Sequence, residues 1–271
     1  MSIRTTVGQV NLPTSIPSTK AGVRPGLPFV AVVLAFVFGA WLCLQRPDGS
    51  GLSVFIFVMA GWVLSLIFHE FAHAFTAWKG GDLSIPSKGY LTLNPLLYAD
   101  PFTSVLLPIF ILFIGGIGLP GGAVWIDQRA LRSRGTASIV SLAGPFTNLA
   151  LAALLITPVS FGMVTNFNLS VAMAFLGFVQ IFAFVINMLP VPGLDGFGAL
   201  EPHLPPSVLQ AIAPFRRYSM LILIAVVLWF EPGQRLLSDI VNAILNALGL
   251  DTRLVSLGWT IFRFWEGGTS F

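Results

Sequence analysis

Charge is scarce in this chain. Only 9% of its 271 residues are Asp, Glu, Lys or Arg, against 55% apolar, and the mean hydropathy is +0.86. Too few polar side chains are available to coat a water-exposed surface, which excludes a soluble globular domain and implies a polytopic membrane protein. Cysteine is almost absent: Cys43 stands alone inside an apolar run. No disulfide framework is therefore possible, and the residue reads as a small apolar one. The net charge of +3 is dispersed over loops with no basic stripe, which excludes nucleic acid as a partner. Acidic residues are missing from residues 1–27 altogether. With two arginines and weak amphipathicity, that stretch reads as a flexible tail and not as a transit peptide. No internal repeat is present, and no extra-membrane stretch is long enough to fold as a separate PDZ or nucleotide-binding module.

What the chain has is long apolar runs. Residues 28–44, 52–77, 137–156, 171–189 and 208–230 each approach the length that crosses about 30 Å of hydrocarbon. Into the second run the chain places His69, Glu70 and His73. An ionised carboxylate at such depth costs roughly 2.5–3.5 kcal/mol on insertion scales, so something must compensate for it. Histidines four apart stack on one helix face, where their ring nitrogens can converge on one zinc ion with Glu70 beside it as general base. With three histidines in the chain, a chance His-Glu-x-x-His is expected on the order of once in a thousand such sequences. A histidine pair that merely packs, with the glutamate as hydrogen-bond partner, is the plain alternative.

Catalytic zinc needs a third protein ligand and an open fourth position. His203 and the few acids near membrane segments are the candidates. Asp195 stands out, in Asn-Met-Leu-Pro-Val-Pro-Gly-Leu-Asp-Gly at 187–196. Pro190 and Pro192 end the preceding helix, and Gly193 and Gly196 let the backbone turn sharply. Irregular backbone at membrane depth is tolerated where it lines a site. Taken alone, Asp195 would be an ordinary loop carboxylate.

Together these residues resemble the site-2 protease family of intramembrane zinc metalloproteases, in a compact form without a PDZ or CBS domain. That family pairs HExxH on one transmembrane helix with an NxxPxPxxDG-like motif at the end of a later one. Here the matches are HEFAH at 69–73 and NMLPVPGLDG at 187–196, with AGPFTN at 143–148 similar to the family's AGPxxN stretch. The resemblance covers roughly residues 50 to 230. It implies one Zn2+ per chain held by His69, His73 and Asp195, with Glu70 as the base. Asn187 and Asn148 become candidates to hold the substrate or the oxyanion. Phe197 departs from the second glycine that many members carry after the DG, which bears on local loop shape only. His203 matches nothing in the motif and reads as a loop or rim residue.

The implied fold is an all-α polytopic membrane protein with five to six transmembrane helices, a re-entrant segment and a small β-hairpin near the active site. The re-entrant segment, residues 102–118, follows from parity: if it spanned, HEFAH and Asp195 would face opposite sides. It is short, contains Pro108 and ends in a glycine-rich stretch, which suits a dip better than a span. Residues 1–27, 78–101 and 119–136 then share one side and carry Arg4, Lys20, Arg24, Lys79, Lys88, Arg129, Arg132 and Arg134, whereas 45–51 and 157–170 carry only Arg46. The positive-inside rule makes the first side, and the N-terminus, cytoplasmic. The hairpin is expected over 83–94, around Ser87-Lys88-Gly89. Such an edge could bind an extended substrate by strand addition, or simply connect elements. Residues 235–250 place Leu236, Leu237, Ile240, Val241, Ile244, Leu245 and Leu248 on one face and Ser238, Asp239, Asn242 and Asn246 opposite, the pattern of an interfacial helix or a weak sixth span. Trp259, Phe262 and Trp265 suit an interfacial belt or ordinary packing. The domain layout is thus a cytoplasmic tail (1–27), one transmembrane metalloprotease domain (28–250) and a C-terminal interfacial tail (251–271).

The expected activity is hydrolysis of a peptide bond in or near a transmembrane segment. Its partners would be a transmembrane protein substrate, the lipid bilayer and an adaptor or regulatory protein, and its location a bacterial inner membrane. Two other classes compete. A zinc transporter needs a polar path through the spans, of which only Asn148 and Gln180 are present. A non-catalytic scaffold has no need of Glu70. A CAAX-type protease would require a second acidic ligand on a later helix, and Glu201 and Glu231 lie in the wrong kind of segment.

Overall fold

The computed structural model describes residues 25–45, 50–94 and 124–266. Four helices in it are long and apolar enough to cross a membrane: α1 (Leu27–Gln45), α2 (Gly51–Gly80), α3 (Arg134–Ser160) and α4 (Phe167–Asn187). They coincide with the first four apolar runs. Side-chain caps mark two of the starts, Ser133 Oγ accepting from the Thr136 N–H and Asn166 Oδ1 from the Leu169 N–H. Helix α2 is the centre of the bundle, packed on α1, α3 and α4. Glycine permits the closest of these approaches: a Cβ on Gly39 of α1 would lie 2.6 Å from the Phe57 backbone nitrogen of α2.

Beyond α4 come short helices: α5 (Asp195–Leu200), α6 (Pro206–Ile212), α7 (Ser219–Trp229), α8 (Glu231–Ala247) and α9 (Thr252–Phe262). The expected span at 208–230 is therefore not one helix. A 3-10 stretch, Ala213–Tyr218, interrupts it, at Pro214, which lacks an N–H, and at Arg216, whose charge is paired with Glu201. The 11-residue α7 measures only about 16 Å. Helix α8 lays Leu237, Val241 and Leu245 into a core shared with α4, then the chain bends by 115° into α9. Taken as one bent span, that pair would raise the count to five. Phe262 is fully buried between Phe55 and Phe175, with Trp265 against it, so this aromatic group serves the core.

Among the described residues there is no strand, and the expected hairpin at 83–94 is a series of turns. Its backbone bonds run locally, from the Lys88 N–H to the Ser84 carbonyl at 3.2 Å and from the Thr92 N–H to the Gly89 carbonyl at 3.1 Å. Side chains explain this: Ser84, Ser87 and Thr92 each bond to backbone or side-chain groups within three residues, and such bonds compete with a ladder. Ile85 and Leu91 are not on alternating faces but plug a small cluster with Ala74, Ala77 and Val140. The expected re-entrant segment lies outside the described residues. The ends of the helices on either side do lie together, with the Arg132 N–H 3.0 Å from the Gly80 carbonyl.

Candidate metal centre

Helix α2 supplies two imidazoles to one point. His69 Nε2 and His73 Nε2 are 3.0 Å apart, and both rings are buried. Asp195, at the first turn of α5, closes the triangle: its two carboxylate oxygens lie 3.2 Å from His69 Nε2 and 3.4 Å from His73 Nε2. The outer ring nitrogens fix the tautomers. His73 Nδ1–H donates to the Val140 carbonyl at 2.7 Å, and His69 Nδ1–H donates to Asn148 Oδ1 at 3.3 Å. Each Nε2 is thereby left with its lone pair turned inward.

Two lone pairs and a carboxylate pointing at one another repel unless a cation lies between them. Among the described residues these three form the group of His, Cys, Asp or Glu that could hold a metal ion. The spacing suits zinc, since tetrahedral ligands about 2.0–2.1 Å from the ion lie roughly 3.3 Å from each other. Helix α3 leaves the room for it. A Cβ on Gly144 would overlap His73 Nε2 and sit 2.5 Å from His69 Nε2. Val140, Gly144 and Asn148 are spaced four apart, so one face of α3 presents a carbonyl, a gap and an amide to the two histidines.

The loop carrying Asp195 is tied on several sides. The Ser219 hydroxyl donates to the Pro192 carbonyl at 2.5 Å. Ser138 Oγ donates to the Ala199 carbonyl at 2.7 Å and lies 2.9 Å from His203 Nε2. Gly196 packs against the Met188 backbone so closely that any Cβ would collide with it. Phe197 is buried and carries the Arg216 guanidinium 5.4 Å over its ring, which is what stands where a second glycine was expected.

Glu70 is buried beside the histidines at 4% exposure, and its Oε2 accepts the Val124 N–H at 3.2 Å. Asn148 is committed to His69, and Asn187 is buried at the end of α4. His203 stands away from the cluster at Ser138, and Glu201 and Glu231 pair with Arg216 and Arg235. Sequence reasoning missed Gly144, the Val140 carbonyl, Ser138 and Ser219. For Gly144 alone a signal existed, in the AGPFTN stretch.

Comparison with known proteins points to zinc as the ion. The chain is 44% identical over 259 residues to the protein named "Putative zinc metalloprotease Rip2" of Mycolicibacterium smegmatis, covering 93% of this chain and 98% of the relative. It is 40% identical to the protein of the same name in Mycobacterium tuberculosis, over 91% and 96% of the two chains. A Bacillus subtilis relative with the same description and the name YwhC is 31% identical over 71% of this chain and 89% of its own. No family model matches the chain, and no solved structure does. With such identity along nearly the whole of both chains, this protein belongs to the zinc metalloprotease family of Rip2 and YwhC, in keeping with its resemblance to the site-2 proteases.

Proposed function

We propose that the protein is an intramembrane metalloprotease that hydrolyses a peptide bond in or near a transmembrane segment of a membrane-protein substrate. One observation carries this: His69, Glu70 and His73 sit buried within a 30-residue apolar helix packed against two other span-length helices, and the loop after α4 brings Asp195 to them. Helix α2 is about 45 Å long, so Glu70 lies roughly 15 Å from its C-terminal end, within the thickness of the hydrocarbon when the helix spans it.

His69, His73 and Asp195 would hold the zinc, which as a Lewis acid polarises a carbonyl and lowers the pKa of water toward about 7. Glu70 adjoins the first ligand in the chain and takes the proton of the attacking water as general base. It then delivers that proton to the leaving amine. Val124 holds the Glu70 carboxylate through its N–H. Val140 and Asn148 keep both imidazoles in the tautomer that ligates. Asn187, buried at the end of α4, is the candidate to contact the substrate. Asp195 is less buried than the histidines, which puts the open side of the site at the loop, where a locally unwound substrate helix would enter. The expected location is a bacterial inner membrane with the N-terminus in the cytoplasm, and an adaptor would present the substrate.

Glu70→Gln keeps the shape of the side chain and removes the base. The expected result is wild-type zinc content in the purified variant with complete loss of membrane-protein fragments when cells carrying the two forms are compared by proteomics. The same fragments at the same abundance from both forms would refute the function.

A further inference from the structure

Outside the metal cluster, Asp82 is a second deeply buried carboxylate, 1% exposed, two residues past the end of α2. A buried charge persists only when its oxygens are fully engaged, and here both are. Oδ1 accepts the Ser84 backbone N–H at 3.0 Å and the Ser84 hydroxyl at 2.5 Å. Oδ2 accepts the Asp127 N–H at 2.8 Å and lies 3.9 Å from Lys88 Nζ. Lys88 Nζ in turn donates to the Trp125 carbonyl at 2.9 Å and rides 5.2 Å over the Trp125 ring. Residues 124–127, which have no regular secondary structure, are thus held at two of their backbone groups by Asp82 and Lys88. The first residue of that stretch is Val124, whose N–H meets Glu70. Close packing reinforces the junction: a Cβ on Gly81 would lie 2.5 Å from the Ala130 carbonyl oxygen.

Neither Asp82 nor Lys88 is needed to bind the metal. We infer that Asp82 is a positioning residue for the hydrolysis, an inference that rests on the proteolytic function proposed above. Through the Asp127 N–H and Lys88 it holds residues 124–127 in place, so that the Val124 N–H fixes the Glu70 carboxylate in its working rotamer. A glutamate without that donor samples other rotamers, and a base misplaced by about 1 Å loses much of its effect. The role is in the chemical step, so the expected loss is in kcat and not in KM.

The test uses the purified full chain in lipid nanodiscs and three variants. Asp82→Ala removes the anchor and Lys88→Met the ion pair. Asp127→Pro deletes the N–H that Asp82 receives, at a backbone φ of −79° that the proline ring accepts. Zinc content stays at the wild-type level in all three. Deuterium uptake over 124–127 rises, and kcat on a quenched-fluorescent peptide bearing one transmembrane helix falls about 10- to 100-fold with KM unchanged. Wild-type kcat in Asp127→Pro, or a loss confined to KM, overturns the positioning role. Unchanged deuterium uptake in Asp82→Ala overturns the anchoring itself. Should Asp82→Ala fail to fold, Lys88→Met and Asp127→Pro carry the same readouts. A wild-type chain that cleaves no such peptide sinks the proteolytic function instead, and the uptake comparison still decides whether Asp82 anchors the segment.

Discussion

At Gly144 a single methyl group would stand where the two histidines meet, overlapping His73 Nε2 and reaching 2.5 Å from His69 Nε2. The imidazoles cannot retreat, because Val140 and Asn148 hold them from behind. Gly144→Ala is therefore expected to cut zinc content to a small fraction of wild type, at an overpacking cost of about 1–3 kcal/mol. Metal analysis of the purified variant, beside a thermal melt, checks it; full zinc occupancy would contradict the geometry. The three residues that could hold a metal were legible in the sequence for a chemical reason: two histidines and an acid in lipid need compensation, and Asp195 after a proline-broken helix end offers a third donor. Gly144 was visible only as part of a motif. Its contribution is space, and space has no signature until the partner helix is in position.

The segment 83–94 shows where local patterning misleads. Alternation of apolar and polar residues suggested a hairpin, yet Ser84, Ser87 and Thr92 satisfy backbone groups locally, and Asp82 captures the first turn. The apolar positions Ile85 and Leu91 plug the gap between α2 and α3. Helices α1 to α4 were readable because lipid imposes one length and one composition on each. Residues 208–230 met the composition but not the continuity, since Pro214 and the Arg216–Glu201 pair break the run. Asp82 itself makes a testable demand. Burial pushes its carboxyl up, but the hydrogen bonds from Ser84 and Asp127, aided by the Lys88 charge, more than offset this and hold it below the ordinary value of 3.8. Because its folded value is depressed, its stabilisation is fully present above pH 3.8 and is lost as the pH falls through the lower folded value. The stability gap between wild type and Asp82→Asn, about 1–3 kcal/mol for a hydrogen-bonded buried charge, should hold constant above that pH and close below it. Chemical denaturation across the acid range measures it; a gap that widens on acidification would reverse the sign.

For the whole molecule, the metal centre is possible only because one chain folds three elements onto α2: α3 at its flank, α4 behind it and the loop after α4 across its end. The HEFAH turns and the Asp195 loop must face the same side for that. The contact between the Gly80 carbonyl and the Arg132 N–H places the end of α2 and the start of α3 at one end of the bundle, while the α3–α4 turn lies at the other. Exposed Arg129, Arg132 and Arg134 crowd the first end, and the turn at 161–166 carries no charge at all. The positive-inside rule then predicts the orientation. With Cys43 replaced by Ala, single cysteines at Arg129→Cys and Met163→Cys report the two ends; both native side chains are exposed. In intact cells a membrane-impermeant maleimide should label position 163 and spare position 129 until the membrane is opened. Labelling of 129 from outside would invert the protein, and with it the side from which a substrate reaches Asp195. Labelling of both positions from outside would mean that α3 does not cross the membrane.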